Sequence, residues 1–170
     1  MNTTTKKITF TAMGIALYVV LSMVMKIPLI SHISLDLGYL VFAVYCYHFG
    51  AWAGALVGGF GCVLVSLLTT GWFPIGWFVG NLVIGLLCGL GYHHSLEKKY
   101  IIYDMIITVA AVCLGVFCIK TIIECALYSI PLVVKMPKNA IAFATDAAVM
   151  CAGRLLATYK PIANMCEVRA

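Results

Sequence analysis

Long apolar runs alternate with short polar or proline-marked breaks along this chain. The first run, about 8–25, stops at Lys26 and Pro28. The others cover about 37–48, 51–70, 77–92, 102–130 and 138–159. About 20 helical residues cross a hydrocarbon layer of about 30 Å. The runs therefore predict an all-α integral membrane protein with six transmembrane helices, forming one domain over residues 1–170. The second run is too short for a comfortable span, at about 1.5 Å of rise per residue. It meets the third at His48-Phe-Gly-Ala-Trp52, which leaves barely any loop. A short spanning helix is the preferred reading and a re-entrant hairpin over 37–70 the alternative; both need protein around the exposed ends.

Composition supports a lipid environment. Apolar residues make up 64% and charged residues 10%, and mean hydropathy is +1.07. Soluble domains hold about 45–50% and about 25%, and a chain this small cannot bury the excess. The net charge of +5 comes from scattered lysines and arginines, which read as topology signals rather than a nucleic-acid surface. Lys6, Lys7, Lys98, Lys99, Lys160 and Arg169 fall on one side of the layer, and Lys26, Lys135 and Lys138 on the other. The positive-inside rule then places both termini in the cytoplasm. Lys6 and Lys7 before an apolar run resemble a signal peptide, but Ile8–Met25 exceeds the usual core of about 7–15 residues and no A-x-A site follows. It reads as a retained first helix.

Eight cysteines are scattered without CxxC pairs or zinc-like spacing. They read as free packing thiols. His93 and His94 are adjacent, a poor arrangement for two ligands of one metal. No metal and no cofactor is expected. Glycines four apart (Gly50, Gly54 and Gly58; Gly76 and Gly80; Gly85 and Gly89) let helix backbones approach closely. The same spacing could leave room for a flat ligand. Ala12, Gly14 and Ala16 form a similar notch near the cytoplasmic end of the first helix.

Charges inside a membrane are costly and by default mark a functional site. Lys120 and Glu124 share a helical face, four residues apart, and Asp146 lies about two turns into the sixth helix. With both termini inside, all three fall in the outer half. Asn81 lies at a similar depth. His32, Asp36, Tyr39, Trp72 and Trp77 sit at the outer ends of segments. Together these nine residues could line an outward pocket with aromatic walls and polar groups. The tryptophans equally suit a headgroup belt, and Lys120 and Glu124 could simply neutralise each other. Arg154 and Asp104 lie toward the inner side, Arg154 within snorkelling reach of phosphates. No phosphate loop, G-x-S-x-G or H-E-x-x-H motif supports an enzyme.

ITFTAMGIALYVVLSMVMKIPL is similar to the opening helix of the substrate-binding S components of energy-coupling factor (ECF) transporters, including the Ala12/Ala16 notch. SHISLDLGYLVFAVYCYHFGAWAGALVGGFGCVLVSLL, followed by GWFPIGWFVGNLVIGLLCGL, resembles the riboflavin-type branch. Phe49-Gly50-Ala51 stands where that branch has FGP, and Val65-Ser66 where it has a charged pair; residues 101–170 match only in helix layout. The resemblance implies a non-enzymatic subunit in a prokaryotic plasma membrane. It would capture a vitamin or related heterocycle: riboflavin first, with a pyrimidine, pyridoxine or a queuosine precursor as other options. Its first helix would dock on a membrane coupling subunit driven by two ATPase subunits. The alternative from the charges alone is a stand-alone proton- or cation-coupled transporter.

Overall fold

The computed structural model describes residues 3–25, 27–30, 33–94, 98–129 and 131–159. Helix α1 is Thr3–Val24. A small antiparallel hairpin follows, β1 (Ile27–Ile30) and β2 (Ile33–Leu35), pairing Ile27 with Leu35 and Pro28 with Ser34. Then come α2 (Gly38–Thr70) and α3 (Ile75–Cys88). Short 3₁₀ turns over Gly89–His94 and Lys98–Tyr100 lead to α4 (Ile101–Cys113). A π-helical stretch, Leu114–Lys120, carries α4 directly into α5 (Thr121–Tyr128). Helix α6 is Leu132–Ala157.

Among the described residues, four helical runs are long and apolar enough to cross a membrane: Thr5–Val24, Gly38–Thr70, Ile101–Tyr128 and Leu132–Ala157. Ile75–Gly91 is a shorter apolar run. The outer surface is apolar, as lipid contact requires; Trp52 is 77% and Val133 82% exposed. The fully buried centre holds Tyr18, Phe42, Tyr47, Ile84 and Met150.

Gly50 determines how α2 runs. Its φ of 84° and ψ of −176° break the helix, and only glycine reaches that region without strain. The chain folds back there. In a straight helix eight residues rise about 12 Å, yet a Cβ added at Gly54 would lie 2.9 Å from the Cys46 Cα, and one at Gly58 would strike the Phe42 ring. Arms 38–49 and 51–70 are therefore antiparallel and closely packed. The near-absent loop predicted at His48–Trp52 is this single-residue reversal.

The other glycine ladders also serve close approach. A Cβ at Gly85 would collide with the backbone of Ala55, and one at Gly89 with that of Ala51. At Gly80 it would lie 3.0 Å from the Gly115 carbonyl oxygen, so α3 presses against the π-helical stretch.

Several boundaries differ from the sequence reading. The polar stretch before Ile8 is already helical, with the Thr9 and Thr11 hydroxyls bonded back to carbonyls four residues earlier. The expected loop at 26–36 contains the β-hairpin. The expected loop at 131–137 is mostly helix, because Pro131 starts α6 and Pro137 sits inside it. Pro131 sacrifices nothing at the helix start, whereas Pro137, in the second turn, forgoes one amide bond to the Val133 carbonyl.

Candidate functional site

Among the described residues, the buried charges fall into two groups: Lys120, Glu124 and Asp146 in one, Asp104 and Arg154 in the other. The first surrounds a cavity of about 340 Å³, within the range of small-molecule sites. Tyr18, Asp36, Tyr39, Trp77, Lys120 and Asp146 are among its walls. The arm 51–70 adds Cys62, Val65, Ser66, Thr69 and Thr70, and α6 adds Lys138, Asn139, Ala142 and Thr145.

Lys120 enters from the end of the π-helical stretch. Thr121 donates to the Val116 carbonyl five residues back, at 2.8 Å, which matches the wider π turn. Such widened turns recur at functional sites because they redirect a side chain. The Lys120 ammonium donates to Asn139 Oδ1 and lies 4.0 Å from the centre of the Trp77 ring. Asn139 Nδ2 in turn donates to Thr121 at 2.7 Å. Helix α3 thus supplies an aromatic wall, α4–α5 a cation, and α6 the amide that holds it.

Asp36 is fixed where the hairpin meets α2. Its Oδ1 accepts from the Ser22 hydroxyl and, at 2.9 Å, from the Gly38 amide. Tyr39, the second residue of α2, donates to Asn81 Oδ1 at 2.9 Å. Its ring lies 6.0 Å from that of Tyr18. Asp146 is 5% exposed, and its Oδ2 has no hydrogen-bond partner among the described residues. The Tyr18 hydroxyl, on a fully buried side chain, likewise has none.

Of the nine pocket candidates, Asp36, Tyr39, Trp77, Lys120 and Asp146 converge on the cavity. Asn81 stands behind Tyr39. Glu124 is one step away, 4.0 Å from Lys120 and bonded to Lys135 at 2.7 Å. Trp72 is mostly exposed and pairs with Tyr128 through a 3.3 Å hydrogen bond. His32 lies outside the described residues. The sequence reading passed over Tyr18, Asn139 and the polar stripe Cys62, Ser66 and Thr69. That stripe recurs at helical spacing and was a usable signal; the Val65-Ser66 position noted as a departure lies on it.

The second group is sealed. Arg154 and Asp104 are both fully buried, with Nε donating to Asp104 Oδ2 at 2.7 Å and a second contact through Nη2. Tyr47 donates to the Asp104 carbonyl at 3.2 Å, and the Arg154 guanidinium lies 5.0 Å from its ring centre. Arg154 does not snorkel to phosphates as its depth suggested: its side chain turns inward to a buried carboxylate. Among the described residues no cluster of three or more His, Cys, Asp or Glu has metal-binding geometry, and the seven described cysteines are free.

On the first helix, Ala12 and Ala16 are exposed. Gly14 is buried instead, where a Cβ would meet Tyr45 and Val57. It belongs to the contact with α2 and not to the outer alanine face.

Comparison with known proteins matches residues 2–158 to the model of the ECF-type riboflavin transporter, S component. Two curated relatives come from Streptococcus thermophilus: a UPF0397 protein of strain ATCC BAA-491 / LMD-9 and UPF0397 protein str0306 of strain CNRZ 1066. Each is 28% identical over 99 residues, covering 58% of this chain and 52% of the relative. The chain thus spans about half the length of the curated relatives it matches. Apolar helices, a polar-lined cavity and a family match over nearly the whole chain agree: this is an integral membrane protein of the ECF-type riboflavin transporter S component family, whose members are substrate-binding transport components and not enzymes.

Proposed function

We propose that this chain is the substrate-binding subunit of an ATP-driven ECF importer in a prokaryotic plasma membrane. Its six spans would be 3–24, the two arms 38–49 and 51–70, 75–88, 101–128 and 132–157, with both termini cytoplasmic. The distribution of lysines and arginines supports that orientation. The cavity then opens toward the outside. The ligand is a vitamin or related heterocycle, with riboflavin the first choice. The observation that carries this reading is the cavity itself, in which aromatic walls and buried charges meet in a chain of this family.

The pocket would use Tyr39 and Trp77 against a flat ring, with Asp36, Lys120 and Asp146 at its polar edges. Asn81, Glu124 and Asn139 hold those groups in place. The exposed face at Ala12 and Ala16 would dock on the membrane coupling subunit, and through it on two ATPase subunits. Riboflavin titration of the purified protein, followed by quenching of flavin fluorescence, tests the ligand. Ala12→Arg and Ala16→Arg test the docking face. Both variants should bind ligand normally and fail in uptake with the coupling subunits. Loss of binding in both would place the notch inside the fold.

A further inference from the structure

The cavity wall is chemically uneven along α6. Lys120 and Asn139 meet at one level, and Asp146 lies two helical turns further on, about 10 Å away. At the first level the Lys120 charge is matched. Lys120 has Asn139, the Trp77 ring and Glu124 around it. At the second level the polar groups are not. Asp146 Oδ2 is an acceptor without a donor and the Tyr18 hydroxyl is a donor without an acceptor, both buried and both on residues lining the same cavity. Asp36 adds a second carboxylate to that cavity, with Ser22 and the Gly38 amide already bound to its Oδ1.

A buried carboxylate oxygen without a donor is costly, and native proteins seldom keep one that has no use. We infer that Asp146 is a specificity residue that accepts a hydrogen bond from a ring N–H of the ligand, an imide, amidine or protonated ring nitrogen. The Tyr18 hydroxyl meets an acceptor on the same edge of the ring. The inference depends on the substrate-binding reading above and assigns it a ligand atom.

The test pairs ligands with and without a ring N–H. Riboflavin and 3-methylriboflavin share the ring system and side chain, but the methyl group removes the imide N–H. Uracil and 1,3-dimethyluracil form a second pair. Affinities are measured on the purified protein in detergent, by flavin quenching or by thermal shift. Riboflavin should bind, and 3-methylriboflavin should be weaker by on the order of 10–100-fold, as for a lost hydrogen bond to a charged group. Asp146→Leu should lose riboflavin binding while keeping or raising thermal stability, since a buried polar oxygen without a partner is replaced by an apolar side chain. A purely structural Asp146 predicts a fall in stability instead, and that result overturns the inference.

Equal affinity for the methylated and unmethylated flavins overturns the inference and leaves the substrate-binding reading intact. Binding of uracil alone, lost with 1,3-dimethyluracil, overturns the riboflavin choice and upholds the inference. Absence of binding by all four probes overturns both.

Discussion

Two buried charge clusters in one small bundle do opposite things. At one end Arg154 and Asp104 close on each other with no exposed surface, and Tyr47 supports both. At the other end Lys120, Asp36 and Asp146 surround a cavity. Sequence position makes the two groups look alike, since both place ionisable residues in apolar helices. The difference lies in space: Asp104 Oδ1 and Arg154 Nη1 also lack hydrogen-bond partners among the described residues, but neither residue lines the cavity. The Arg154 group spends its charge inside the fold, like a rivet joining α4, α6 and the first arm of α2. The Asp146 group keeps an unpartnered carboxyl oxygen and an unpartnered tyrosine hydroxyl on residues that line an open volume. Charge within a membrane marks function only when something outside the fold can meet it.

The sharpest way to break this contrast is to remove one partner of the sealed pair. Arg154→Met strands the Asp104 carboxylate and should destabilise the protein by about 3–5 kcal/mol. The fall in Tm in detergent should be on the order of 10 °C. Adding Asp104→Leu should recover most of that loss, because an apolar pair of similar volume is a fair substitute. If Arg154→Met unfolds at the wild-type temperature, the sealed cluster is not structural. Asp146→Leu is the opposite case at the cavity, with stability kept and binding lost.

A smaller effect is expected at Trp77. Trp77→Ala removes a ring beside Lys120 and should weaken ligand binding by about 2–10-fold, the scale of one aromatic contact. Trp77→Phe should restore part of it in the same titration. Wild-type affinity in Trp77→Ala would move the ring-binding wall elsewhere, with Tyr39 the next candidate. The smallest effect belongs to the rim. Lys135 is part-exposed and pairs with Glu124, so Lys135→Ala should cost no more than about 1 kcal/mol and leave affinity within a factor of about 2. A large loss of binding there would pull Glu124 into the ligand site itself.

Much of the architecture follows from the spacing of apolar residues. The length of each run, the missing loop at His48–Trp52 and the glycine ladders are local properties of the chain. The reversal at Gly50 needs only one residue with positive φ, and the sequence offers glycine there. Helix ends were harder to read. Pro131 and Pro137 look equivalent as breakers, yet one starts α6 and the other is absorbed within it.

The site was legible in part. Lys120 and Asp146 stood out because charge is conspicuous in an apolar helix. Tyr18 and Cys62 did not, since tyrosine and cysteine are ordinary core residues. Asn139 was lost with the misplaced start of α6. The pairing of Arg154 with Asp104 joins residues 50 positions apart, a distance that only tertiary packing spans. Likewise, Glu124 turns toward Lys135 rather than into the cavity because of how α6 begins.

The most direct test of the central claim is to identify what the protein carries. Wild-type protein purified from its native membrane would be denatured and the released small molecules read by mass spectrometry, beside Asp146→Leu purified in the same way. A stoichiometric aromatic heterocycle with a ring N–H, present in the wild type and missing from the variant, is the predicted result. A yellow preparation would identify a flavin at sight. A non-aromatic ligand, or the same molecule retained equally by both proteins, would contradict the account.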